Sequence, residues 1–287
     1  MRCLVCGTDM KYYFEKKGFK IVKCPRCLLM AVENFPADLS LYYTEGYFTG
    51  DARLDGYMDY DFDKEVTKKT YINFLKDIGG FLSGKARRSV FEVGCATGFF
   101  LKLANDHGWQ AEGIDISAYA VKKAIEKGAI ASVNTLENYH ASKKFDAIVM
   151  QDVIEHVKDP VSLLNKSREL LNDNGVIAIT TPDSGSLWAR VWGKYWHAFV
   201  PPQHLYYFNS RNLKSLLQKS GFEVVYSKHH GKWFTIPYIM RLFYSWTGLN
   251  FFLKLANFSS KTFLKKISLP LNVYDTTYMI AKKYEQQ

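Results

Sequence analysis

Two groups of residues in this chain have the types and spacing to do chemistry. Cys3, Cys6, Cys24 and Cys27 form two C-x2-C pairs separated by 17 residues. Thiolates two apart can converge on one tetrahedral ion, and this spacing predicts a structural zinc site. Lys11-Tyr12-Tyr13-Phe14 and Lys20-Ile21-Val22-Lys23 between the pairs suit a β-hairpin. So short a piece buries too little surface to fold unaided, so the metal would supply its stability. Two disulfides would need an oxidising compartment. Met1-Arg2-Cys3 leads into no apolar leader, which argues for the cytoplasm. A closed four-sulfur site has no open position, so no catalysis is expected there.

The second group starts at Glu92. Val90–Val93 is an apolar strand, Gly94-Cys95-Ala96-Thr97-Gly98 a small-residue turn, and Phe99, Phe100, Leu103 and Ala104 the apolar face of a helix. Strand, glycine turn and helix N-terminus form a nucleotide-shaped pocket. Ala96 and Phe99 stand where a dinucleotide fingerprint needs glycine, and Phe99 where a P-loop needs lysine. Asp115 follows 17 residues after Gly98, at the tip of a second strand, where a carboxylate can hold a ribose diol. Ser117 suits the N-cap of the next helix. Cys95, in the turn, would touch a ligand through its backbone and pack its thiol as a small apolar group.

A third segment, Phe145-Asp146-Ala147-Ile148-Val149-Met150-Gln151-Asp152-Val153-Ile154-Glu155-His156-Val157-Lys158-Asp159-Pro160, is a strand, a loop and a helix opened by Asp-Pro. Gly175–Pro182 fits the next strand, and Pro201-Pro202-Gln203-His204-Leu205-Tyr206-Tyr207-Phe208 lies downstream of it. Together these motifs resemble the class I S-adenosylmethionine (SAM) methyltransferases, in particular the type 11/23 small-molecule group that includes ubiquinone-type O-methyltransferases. The resemblance covers residues 85–228, with Ala96 at a position more often glycine. It implies an α/β, Rossmann-like seven-stranded methyltransferase sheet. It also implies that SAM is held by Glu92, Gly94, Cys95, Ala96, Gly98, Asp115 and Ile116, with Gln151 and Asp152 near the adenine or methionine end.

Methyl transfer from a sulfonium needs alignment, plus a base where the nucleophile must lose a proton. His204 is the first candidate base, His156 the second, and Glu155 either assists or fixes the loop. In similar sugar C-methyltransferases a Glu-His pair stands where this chain has Gln203-His204. His197 and Trp196 lie close by in sequence with nothing to rank them.

The expected organisation is a zinc ribbon over 1–35, an aromatic-rich arm and helix over 36–84, and the methyltransferase domain over 85–287, with a basic amphipathic helical insertion at 232–272. A chain of 287 residues, 47% apolar, suffices for one large domain with small attachments. The arm holds Tyr42, Tyr43, Tyr47, Phe48, Tyr57, Tyr60 and Phe62, which either cover the cofactor pocket or pack the arm on the core. Ribbon, arm and core in this order are similar to enzymes of nucleotide-sugar and polysaccharide modification, which implies a nucleotide- or lipid-linked sugar or a related small-molecule substrate.

The net charge of +10 is uneven. Residues 1–27 carry seven Lys or Arg against two acids and residues 228–287 nine against two, which leaves −2 for the rest. A near-neutral core argues against a nucleic-acid partner, although zinc and basic ends also suit an rRNA or tRNA methyltransferase. Residues 232–274 hold no acid. Leu249, Phe252, Leu253, Ala256, Phe263, Leu264 and Ile267 are expected on one helical face and Asn250, Lys254, Asn257, Lys261 and Lys265 on the other. That pattern suits either packing on the core or a second subunit, or peripheral contact with a membrane. Oligomeric state stays open. A non-catalytic ribbon module on a degenerate methyltransferase scaffold is the remaining alternative, and Glu92, Gly94, Gly98 and Asp115 argue against it.

Overall fold

The computed structural model describes residues 1–36, 38–49, 60–82 and 88–284; Tyr57 of the arm lies outside them. Strands β1 (Lys11–Lys16) and β2 (Phe19–Lys23) form the expected hairpin, and β3 (Met30–Val32) pairs with β2 antiparallel. The main sheet contains β4 (Ser89–Val93), β5 (Gln110–Asp115), β6 (Ile130–Val133), β7 (Phe145–Gln151) and β8 (Leu171–Pro182). The short strand β9 (Tyr206–Tyr207) pairs with β3, which makes a four-stranded sheet β1-β2-β3-β9. The N-terminal ribbon is therefore stitched, strand to strand, onto the segment that follows His204. Finally β10 (Phe222–Thr235) and β11 (Ser268–Lys283) complete the main sheet in the order β10-β11-β8-β7-β4-β5-β6.

From β4 the chain runs outward to β5 and β6, then returns to β7 and β8 on the other side, all parallel. The order reverses at β4/β7, and ligands bind parallel sheets outside the carboxyl ends at such a switch. Glu92, Asp115, Gln151 and Thr180 all stand at those ends. β11 runs antiparallel between β8 and β10. Its pairing with β8 starts at Thr276↔Pro182, whereas its pairing with β10 extends to Thr235↔Ser268. The β10–β11 ribbon thus projects past the sheet on the ligand side.

Helices α1 (Glu45–Thr49), α2 (Tyr60–Val66) and α3 (Lys68–Gly80) form the arm. They are followed by α4 (Phe99–Asp106), α5 (Ala118–Glu126), α6 (Pro160–Leu170), α7 (Leu187–Trp192), α8 (Ser210–Lys219), α9 (Ile236–Thr247) and α10 (Asn250–Ser260). Strand alternation sends β4 side chains to opposite faces. Phe91 and Val93 join a core with α6, α8 and the ribbon's Cys3, Val5, Cys24 and Leu29. Val90 joins a second core with Tyr71, Phe74 and Ile78 of α3 and Phe100 and Leu103 of α4. Asp159 caps α6, accepting from Val161 and Ser162 N–H at 3.0 Å, with Pro160 at the first helical position.

The helical part of the C-terminal insertion is narrower than 232–272, because β10 and β11 extend to Thr235 and from Ser268. The expected single apolar stripe splits. Phe252 stacks on Phe243 of α9, with centroids 5.4 Å apart, and Ala256 is buried. Leu249 and Phe263 are instead 57% and 74% exposed. Both lie outside the helix: Leu249 is the extended residue that precedes α10, and Phe263 follows its end at Ser260, in a 3-10 turn, Phe263–Lys266, that breaks the 3.6-residue period.

Candidate functional site

The β4–α4 turn is shaped by close packing. Gly94 has φ +73°, and a Cβ there would lie 2.6 Å from Val153 Cγ2. Gly98 has φ +77°, and its Cβ would lie 2.8 Å from Ala124 Cβ, so this glycine lets α4 and α5 approach. Between them Ala96 takes φ +47°, a strained conformation for a residue with a Cβ. That strain turns its N–H onto Asp115 Oδ2 at 2.8 Å, while Ser117 N–H reaches Oδ1 at 2.8 Å. Burial outweighs these backbone hydrogen bonds and holds the Asp115 carboxyl above its ordinary pKa. Each oxygen keeps acceptor capacity for another hydroxyl. Ile116 beside it is exposed, Ser117 caps α5 by accepting from Ala120 N–H, and Cys95 is buried with its thiol pushed up by burial.

Glu92 is 4% exposed. Its Oε1 accepts from Gln151 Nε2 at 3.3 Å, and its Oε2 has no hydrogen-bond partner among the described residues. Burial, opposed by the Lys64 charge and reinforced by Asp115, raises its pKa well above the ordinary value. A buried carboxylate oxygen without a donor costs stability, and an amine donated by a ligand would satisfy it. Asp152 also has a positive φ, +54°, and its carboxylate accepts from Thr180 Oγ1 at 3.2 Å.

The next loop brings the catalytic candidates together. Glu155, His156 and His204 offer ligand or proton-accepting atoms that all lie within 4.8 Å of one another. The backbone makes this happen: Glu155 carbonyl accepts from Leu205 and Tyr206 N–H at 2.8 and 3.1 Å. Glu155, 1% exposed, accepts through Oε2 from Thr181 Oγ1 at 2.9 Å, and its Oε1 lies 3.9 Å from His156 Nε2. His156 Nδ1 lies 2.8 Å from Gln203 carbonyl, which can only accept, so Nδ1 carries the proton. The His156 and His204 rings meet edge to face, 4.6 Å apart. Gln203, which precedes His204, carries no charge, and the acid that lies near the two histidines is Glu155, on the loop after β7. Asp275 separately engages Trp196 Nε1 at 3.1 Å and His197 Nε2 at 3.4 Å, so those residues belong to another cluster.

Tyr43, which the sequence offered only as one of several arm aromatics over the pocket or on the core, contacts both the β5 tip and the histidine loop. Its hydroxyl lies 2.7 Å from His156 Nδ1, and its carbonyl accepts from Ser117 Oγ at 2.7 Å. Phe48 of α1 is buried against Ala96 and Ala120, and Thr97 Oγ1 and Lys127 Nζ both reach Asp61 at 2.5 Å. The arm covers the glycine turn and touches the His156 loop.

The sulfurs of Cys3, Cys6, Cys24 and Cys27 all lie within 4.8 Å of one another. Cys3–Cys27 and Cys6–Cys24 are each 3.4 Å apart, well beyond the ~2.05 Å of a disulfide. Sulfurs at ~2.3 Å from a tetrahedral ion would lie ~3.8 Å apart, so the cluster fits one ion. Burial works to raise the Cys6 thiol, but hydrogen bonds from the Thr8 side chain and backbone hold it at about 6. Burial pushes Cys3 and Cys27 up.

This strand order, with a glycine turn after the first parallel strand and an acid at the tip of the second, defines the Rossmann-like methyltransferase class. A family model described as "Methyltransferase domain" matches residues 67–227, and the chain belongs to that family. It is 26% identical over 164 residues to a ubiquinone biosynthesis O-methyltransferase of Bradyrhizobium sp., covering 50% of this chain and 64% of the relative. To the enzyme of the same name from Pasteurella multocida it is 32% identical over 116 residues, covering 34% and 48%. The match thus spans about half to two thirds of these relatives' length. Among solved structures, a SAM-dependent methyltransferase from Archaeoglobus fulgidus aligns with TM-score 0.54 and 20% identity over 83% of this chain and 99% of that one. Magnesium protoporphyrin IX methyltransferase from Synechocystis PCC 6803, with bound S-adenosylhomocysteine, aligns at 0.51 and 14% over 83% and 91%. These likenesses support the fold.

Proposed function

We propose that this protein transfers a methyl group from SAM to a small-molecule acceptor. SAM would be held at the carboxyl ends of β4 and β5: Asp115 would take the ribose hydroxyls, the Gly94–Gly98 turn would back the ligand, and Oε2 of Glu92, without a hydrogen-bond partner among the described residues, would take the ammonium of the methionine moiety. Gln151 and Asp152 border the adenine or methionine end. When bound, SAM supplies an activated methyl on sulfur. The chain's own task is to align the acceptor and remove its proton. His204 is the base, and the nearby Glu155 carboxylate stabilises the imidazolium that forms.

The observation that carries this reading is the convergence of Glu155, His156 and His204, with Glu155 and His156 on the loop that leaves the carboxyl end of β7 just after Gln151. A base with a buried acid behind it suits an acceptor that is not ionised at neutral pH. A sugar hydroxyl or a carbon made acidic by an adjacent carbonyl fits, in a nucleotide- or lipid-linked sugar. The relatives' name favours a second acceptor, an aromatic hydroxyl. The four cysteines would hold one structural zinc, which would fix the ribbon.

Isothermal titration with SAM and S-adenosylhomocysteine, beside Asp115→Ala, tests the cofactor. Micromolar binding lost in the variant supports it, and no binding to a folded, zinc-loaded sample overturns it. Methyl-transfer assays with nucleotide sugars and catechols, beside His204→Ala, then separate the acceptors.

A further inference from the structure

α10 turns two kinds of side chain outward together. Phe251 and Phe258, 66% and 61% exposed, stand seven residues apart on one face, about 10 Å along the axis. Lys254 and Lys261, both exposed, lie between and just beyond them. Phe263, 74% exposed, and exposed Lys265 follow in the adjoining 3-10 turn. The inward residues Phe252 and Ala256 are already spent on α9 and the helix's own packing. The outward phenylalanines are a second apolar set, set among lysines.

We propose that this face, formed by Phe251, Lys254, Phe258, Lys261, Phe263 and Lys265, docks on an anionic lipid bilayer. Charge makes the first argument. No acid occurs anywhere in 232–274, and Lys254, Lys261 and Lys265 have no carboxylate partner among the described residues. Lysines on long flexible stems can reach headgroup phosphates while neighbouring rings enter the acyl boundary. Position makes the second. The β10–β11 ribbon that carries α9 and α10 projects past Pro182 on the ligand side of the sheet, the side of Glu92, Asp115 and His204. The helices thus stand beyond the end of the sheet at which the proposed ligand-binding residues lie.

The other occupants fit less well. In a two-fold contact between copies the same patch faces itself, which sets lysine against lysine with no acid to relieve it. A nucleic acid is recognised best through the planar arginine fork, and every cation on this face is lysine. No helix among the described residues is long and apolar enough to cross a membrane, so the contact is peripheral.

Flotation of the full chain with vesicles tests this without any methyl acceptor, so its failure leaves the catalytic reading standing. The protein should float with vesicles of phosphatidylglycerol and phosphatidylcholine in equal parts, stay behind with phosphatidylcholine alone, and be released by salt. Lys254→Gln, Lys261→Gln and Lys265→Gln should each cost about fivefold in partition. The triple variant Phe251→Ser/Phe258→Ser/Phe263→Ser keeps every charge and should lose at least tenfold, while its circular dichroism and its titration with SAM match the wild type. Equal flotation of that variant, or none of the wild type with anionic vesicles at low salt, overturns the proposal. So does sedimentation that shows a dimer abolished by the phenylalanine changes, or RNA binding without vesicle binding.

Discussion

The hydroxyl of Tyr43 lies 2.7 Å from Nδ1 of His156, while the carbonyl of the same residue accepts from Ser117 Oγ at 2.7 Å. One residue of the arm thus joins the tip of β5, where Asp115 stands, to the loop that carries the proposed acid–histidine cluster. Its ring packs edge to face on Tyr47 and on His156, with centroids 5.2 and 5.9 Å away.

Tyr43→Phe therefore separates two roles. The variant keeps the ring packing and the backbone bond to Ser117 and loses only the hydroxyl on His156. A hydrogen bond of ~1.4 kcal/mol corresponds to about tenfold in rate, so kcat should fall about tenfold while the Kd for SAM stays unchanged. A changed Kd with an unchanged kcat would show that Tyr43 serves the cofactor and not the histidine.

Glu92→Gln should strengthen the empty protein and weaken its ligand binding. The Glu92 carboxyl is raised by burial, so the folded state holds the proton more tightly than the unfolded chain. Such a group adds nothing to destabilisation below its unfolded pKa, near 4.5. Above it, stability is lost as pH rises toward the folded pKa. Melting curves from pH 4 upward should show the variant gaining on the wild type as pH increases, while SAM affinity drops at least tenfold, since glutamine supplies no charge to an ammonium. A parallel pH dependence in both proteins would mean that Glu92 is ionised in the fold without cost.

Signals confined to a few neighbouring residues were legible in the sequence. Asp159-Pro160 marks a helix start and Ser117 a cap, because each depends on backbone geometry within a few residues; the cysteine cluster spans 24 residues, from Cys3 to Cys27, and was legible because its C-x2-C pairs repeat one local motif. The contacts that assemble the site carry no such signal. Tyr43 and His156 are 113 residues apart. The β3–β9 pairing joins Met30 to Tyr207, and the acid near His204 is Glu155, 49 residues earlier in the chain, whereas the residue next to His204 in sequence is Gln203. Gly113 was also invisible: it looks like an ordinary strand residue, yet a Cβ there would lie 2.7 Å from Glu92 carbonyl and 2.9 Å from Cys95 Cβ. Long-range approach is set by tertiary packing, which local spacing does not record. The C-terminal helix face failed for the complementary reason: a helical period was carried past Ser260, where the helix ends.

Gly98→Ala probes why the turn keeps a glycine. The added methyl would meet Ala124 Cβ at 2.8 Å and its Cα at 3.0 Å, at a φ of +77° that alanine rarely adopts. Overpacking and backbone strain each cost about 1–3 kcal/mol. For a domain of this size that lowers Tm by roughly 4–12 °C. If Tm holds and only SAM affinity falls, the glycine is kept for the ligand and not for the α4–α5 contact.

Removing the metal should reach His204 through the ribbon. Cys27 carbonyl accepts from Asn209 and Asn212 Nδ2 at 3.2 and 3.3 Å, β3 pairs with Tyr206 and Tyr207, and Val32 N–H bonds Leu205 carbonyl at 2.8 Å. The loop that carries His204 is therefore held from one side by the four-cysteine ribbon and from the other by Glu155. Cys24→Ser, or chelation of the wild type, should release one zinc per chain by mass spectrometry and lower Tm by roughly 10 °C, since a site of this kind contributes folding free energy directly. Hydrogen exchange should then rise in residues 1–35 and 204–208 but not in β4 or β5, so that kcat collapses while SAM still binds. Exchange confined to 1–35, with kcat intact, would show that the ribbon hangs on the catalytic loop without holding it.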